Sequence, residues 1–128
     1  MAQKILTCSD ICYAAFNAGH AHSQLVLTDN YEVFSFPRIV DVSFAYGRVQ
    51  LCMRTCVMPD PYMPIGAAVC DSLSVAEFHR YLCQYDQQCK PLYLCDSSGL
   101  GYIVTEDALS VQRGRFLVDI SVCVAREI

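Results

Sequence analysis

Tryptophan is absent, and lysine occurs only as Lys4 and Lys90. A nucleic-acid surface needs clustered cations to displace phosphate counterions. Here 13 acidic residues outweigh 9 basic ones, the arginines are scattered, and Arg113 and Arg115 form the one close pair. That distribution argues against a nucleic-acid partner. Charged residues reach 17%, against about 25% in an average soluble domain. No apolar run approaches the ~18 to 20 residues needed to cross a bilayer, which excludes a membrane-spanning helix. The opening MAQKILTCSD lacks the apolar stretch of about 7 to 15 residues that marks a secretory signal. Together with the lack of any N-x-S/T acceptor, this predicts a cytoplasmic, reducing location. Other absences bear on chemistry. There is no C-x-x-C, no G-x-S-x-G, and no glycine loop followed by Gly-Lys-Ser/Thr, so familiar zinc, hydrolase and nucleotide signatures are missing.

What is there is apolar. In 128 residues, 54% are hydrophobic, with 8 Tyr and 6 Phe, enough for one core and too few residues for two. The chain therefore reads as a single domain over residues 1–128. Low charge with high apolar content also leaves apolar surface over, which small proteins often cover in a dimer or against a partner.

Nine cysteines are an odd count for a disulfide framework. Under reducing conditions free thiols are the default, and a free cysteine packs as a small hydrophobe. Cys52, Cys70 and Cys123 each adjoin valine or leucine, which suits core packing. The sharper alternative is zinc, which takes four Cys or His ligands. Cys8, Cys12, His20 and His22 supply the best set, spaced C-x3-C-x7-H-x-H, for a zinc-stabilised module. Cys52 and Cys56 fall in an expected strand, where four residues span roughly 13 Å at ~3.3 Å each, too far for one ion. A third reading is a cysteine-dependent enzyme with Cys12 as nucleophile and His20, His22 or His79 as base. The adjacent Glu106 and Asp107 read as a turn, and Asp41 and Asp119 as solvent-facing strand residues.

Periodicity predicts two helices, over about 9–18 and 74–86. The first has Ser9 or Asp10 available as cap and Gly19 at its end. The second opens with Ser74-Val-Ala-Glu77, a capping box, followed by Phe78, Tyr81, Leu82 and Tyr85 on one face. Alternation with turn residues predicts hairpins around 29–30, 46–47, 96–99 and 113–114. No internal repeat or low-complexity run stands out. The fold class is α+β: a mainly antiparallel sheet of short strands, open or curled toward a barrel, with two covering helices.

Two features point to protein–protein contact. Met58, Tyr62, Met63 and Pro64 lie in a segment with three prolines in seven residues, which excludes central strand or helix, and Met and Tyr are enriched in interface cores. Strand edges with little lysine to protect them can pair with another chain. The expected function is a non-enzymatic protein–protein interaction module acting as a homodimer and holding no cofactor. A composition rich in Val, Cys and Tyr is similar to that of small viral accessory or host-interaction proteins, although no motif carries that likeness.

Overall fold

In the computed structural model, residues 4–29, 33–35, 38–52, 73–95, 99–112 and 115–127 are described, with backbone alone at 29 and 33–35. Helix α1 (Cys8–Asn17) starts one residue earlier than its spacing predicts, because the cap is Thr7. Its hydroxyl accepts from the Asp10 N–H at 3.1 Å while the Asp10 carboxylate accepts from the Thr7 N–H at 3.0 Å. Helix α2 (Val75–Gln84) is capped by Ser74, which accepts from the Glu77 N–H. Between and after them run β1 (Val26–Asp29), β2 (Val33–Ser35), β3 (Val42–Ala45), β4 (Arg48–Cys52), β5 (Leu92–Cys95), β6 (Leu100–Ile103), β7 (Leu109–Gln112), β8 (Arg115–Asp119) and β9 (Val124–Glu127).

The four expected hairpins are present as β1–β2, β3–β4, β5–β6 and β7–β8, all antiparallel. The fold is α+β and mainly antiparallel, as the pattern predicts, and the strands do not close into a barrel. There are two open sheets, of order β2-β1-β8-β7 and β3-β4-β5-β6-β9. Each sheet joins one early hairpin to one late hairpin through a parallel pair, β1 with β8 and β4 with β5. A short 3-10 turn at Ile120–Val122 ends β8, and β9 crosses to the other sheet to pair with β6.

The element order repeats. Helix, two strands, 3-10 turn, two strands occurs twice at a constant offset of 67 residues: Cys8 to Val75, Ile39 to Glu106, Val42 to Leu109, Arg48 to Arg115. No gap is needed from Thr7 to Cys52, and Leu25/Leu92, Leu27/Leu94, Asp29/Asp96, Ser43/Ser110, Gly47/Gly114 and Arg48/Arg115 are identical pairs. The pairing is symmetric under exchange of the halves. Val26 lies opposite Leu117 in β1–β8, and the counterparts Gln50 and Tyr93 lie opposite each other in β4–β5.

The helix starts obey the same exchange. A helix leaves its first N–H groups without internal partners. Here the Cys8 N–H donates to the Lys90 carbonyl and the Val75 N–H to the Ser23 carbonyl, both at 2.9 Å. Ser9 to Gln88 and Ala76 to Ala21 follow at 2.8 Å. Each helix is thus anchored by the loop that follows the other.

The core follows from this arrangement. Cys8, Ile11 and Ala15 of α1 are fully buried, as are their counterparts Val75, Phe78 and Leu82 of α2. Leu27, Val49 and Leu51 are buried in one half, and Leu94, Phe116 and Val118 in the other. One continuous cluster draws on both helices and both sheets. Among the described residues, no helix is long and apolar enough to cross a membrane.

Candidate functional site

Two counterpart surfaces, one in each half, differ most in chemistry. On the first, the ring of Phe44 in β3 stacks on Tyr81 of α2 at 5.7 Å, and Tyr85 closes the group at 5.1 Å from Tyr81. The 3-10 turn that leads into β3 carries Ile39 and Val40, 44% and 75% exposed. Beyond the strand, Tyr46 is 90% exposed at the hairpin tip. Its backbone has a φ of 55°, followed by Gly47 at 72°, the pair of left-handed residues that a two-residue hairpin turn requires. The Arg48 guanidinium sits over the Tyr93 ring at 4.5 Å and the Tyr46 ring at 5.5 Å. Strand β3 carries no charged side chain and forms an edge of its sheet among the described residues.

On the second surface those three rings have no aromatic counterparts. The counterparts of Tyr81, Tyr85 and Phe44 are Ala14, Ala18 and Val111, and those of Ile39 and Val40 are Glu106 and Asp107. Beside Ala14 and Glu106 lies an open groove of about 360 Å³ between α1 and the turn before β7. Asp10, Tyr13, Ala14 and Asn17 form its helical wall, with Glu106 and Leu109 opposite. Exposed Lys4 and buried Leu6 complete the lining.

The residues singled out for zinc fall in different surroundings. Cys8 and Cys12 are fully buried on α1. His20 is half-buried with Nδ1 at 2.8 Å from the Ser23 hydroxyl, and His22 is exposed. Among the described residues, no three of His, Cys, Asp and Glu are grouped as metal ligands. The counterpart of Cys8 is Val75, so its thiol occupies a site that the other half fills with an aliphatic side chain.

Cys12 is fully buried, with no exposed surface. Burial, with a smaller contribution from nearby Cys83, pushes its thiol from 9.0 up to about 12. Burial pushes Cys8 further in the same direction, and Cys123 rises to about 12 through burial and the Asp119 charge. His79 instead packs its ring against Tyr13 and Phe16 at 5.4 and 5.5 Å. Its Nε2 lies 3.7 Å from the exposed Cys83 sulfur, too long for a strong hydrogen bond. All seven described cysteines are free thiols.

Two carboxylates depart from the solvent-facing expectation. Asp41 and Asp119 are 5% and 4% exposed. Asp41 accepts from the Arg38 N–H at 3.0 Å with the Arg38 Nε at 3.6 Å. Asp119 accepts from the Ser121 N–H at 3.0 Å and from its hydroxyl at 2.7 Å. Alternation alone misses this, because each aspartate holds a 3-10 turn at a strand end. Met58, Tyr62, Met63 and Pro64 lie outside the described residues. The sequence reading missed Ile39, Val40 and Phe44, and comparison of residues 67 apart is the signal that finds them. No family model matches the chain, and no curated protein or solved structure does.

Proposed function

We propose that the chain is a non-enzymatic protein–protein interaction module that acts as a homodimer, docking through the β3 edge and the apolar residues around it. The observation that carries this reading is the exposure of Ile39 and Val40 at positions where the other half has Glu106 and Asp107. A charged pair suffices to build that turn, so folding does not demand the apolar one. An exposed apolar group beside stacked rings is the composition of an interface core, rich in aromatic and poor in charged residues.

A second copy is the occupant that suits the strand itself. An uncharged edge strand offers unpaired backbone groups that a matching strand satisfies, and two copies of β3 meeting antiparallel are related by a closed twofold. The Met58, Tyr62, Met63 and Pro64 segment belongs to this reading as a further apolar contributor. Sedimentation velocity across protein concentration tests it. Ser43 is exposed on β3, so Ser43→Lys adds charge to the edge without touching the core and shifts the population to monomer. Tyr62→Ser with Met63→Ser weakens the dimer as well. A wild-type chain that stays monomeric at every concentration contradicts the proposal.

A further inference from the structure

We infer that the groove between α1 and the turn before β7 is a second docking site, distinct from the β3 edge. Its occupant is a segment of another protein that presents an aromatic side chain next to a cationic one. Ala14 lines the groove at the position that Tyr81 fills in the other half. There Tyr81 is flanked by the rings of Phe44 and Tyr85 at 5.7 and 5.1 Å. Their counterparts Val111 and Ala18 are too small to rebuild that stack, and Val111 is left 49% exposed. The three positions that hold rings in one half hold small aliphatic side chains in the other. The groove that Ala14 lines, about 360 Å³, falls within the range of roughly 300 to 1,000 Å³ typical of ligand pockets.

The walls specify what enters. Tyr13 lines the groove and is 53% exposed, giving an incoming ring an edge-to-face partner. Leu109 and Ala14 supply apolar contact. Around them stand two carboxylates, Asp10 and Glu106, against the single cation Lys4. Among the described residues, Glu106 makes no ion pair, so it is available to a cation carried by the segment. Complementary charge of this kind sets orientation and partner choice more than affinity.

Amide chemical shifts of the ¹⁵N-labelled full chain test this with three capped dipeptides, acetyl-Phe-Arg-amide, acetyl-Ala-Arg-amide and acetyl-Phe-Glu-amide. The Phe-Arg peptide is expected to move Ala14, Asn17 and Leu109, with a dissociation constant on the order of 1 mM, as suits so small a ligand. The other two are expected to bind at least fivefold more weakly. Ala14→Tyr with Val111→Phe rebuilds the aromatic filling of the other half and reduces Phe-Arg binding at least tenfold, with shift dispersion confirming its fold. Glu106→Gln, on an exposed side chain, removes the preference for Phe-Arg over Phe-Glu and serves where the filled variant fails to fold. Shifts mapping elsewhere, equal binding of the three peptides, or unchanged binding in the filled variant would overturn the assignment. So would shifts of the groove residues with protein concentration alone, which would make a second copy the occupant. The β3 dimer does not enter these readouts, and loss of either site leaves the other testable.

Discussion

Cys12 shows how much a single side chain's surroundings decide. On a helix with histidines available, its residue type suits a nucleophile, yet burial makes its thiolate unfavourable. The sign of the effect on stability follows from the two states. Below pH 9 the thiol is protonated in both, and its burial contributes fully. Above 9 the unfolded chain ionises while the folded thiol, raised to about 12, does not. Stability therefore falls with rising pH between about 9 and 12, by roughly 1.4 kcal/mol per pH unit for each such thiol. Urea unfolding at pH 8 and pH 10 measures the slope, and Cys12→Ala is expected to reduce it. A mild electrophile at pH 7.5 is expected to label exposed Cys83 and Cys89 well before Cys12. Rapid labelling of Cys12 in the folded chain would instead revive the nucleophile reading.

The helices and hairpins are the elements most legible in the sequence, because their signals are local. Ser74 accepting from the Glu77 N–H marks one helix start, and a reciprocal capping box of Thr7 with Asp10 marks the other. Thr7→Ala and Ser74→Ala are each expected to cost about 1 kcal/mol, read as a shift in the urea midpoint with unchanged slope. A cost near zero for both would mean that the backbone bonds to Lys90 and Ser23 suffice alone. Nothing local announces which strands become neighbours. The parallel pairs β1–β8 and β4–β5 join residues far apart in the chain, and alternation within a strand is indifferent to its partner. The same limit hid Asp41 and Asp119, whose burial depends on the turn that each carboxylate caps.

At the scale of the whole molecule the organising fact is a structural repeat whose halves pair their strands crosswise. Few identities survive, yet the residues that matter physically recur at the same offset: cap and acid, Leu-x-Leu, the turn glycine and the arginine after it. A residue-by-residue reading passes over them because buried positions vary freely among apolar types, as in Ile11 and Phe78. The crosswise pairing makes the halves interdependent, since the parallel partners of β1 and β4 both lie in the other half. Residues 1–66 alone are expected to show no cooperative melt, and co-refolding with residues 67–128 to restore it by circular dichroism. A stable monomeric half would argue that the crosswise pairing is dispensable. The candidate surfaces become legible only at this scale, because each is recognised by what its counterpart carries instead.

Sedimentation velocity of the untagged wild type beside Ile39→Glu with Val40→Asp tests the β3 dimer. The double variant copies Glu106 and Asp107 from the other half, where that pair builds the same turn, so its fold is expected to survive. The account predicts a wild type that sediments at twice the chain mass and a variant that sediments as a monomer. A dimer untouched by the exchange, or a wild type that never dimerises, would contradict it.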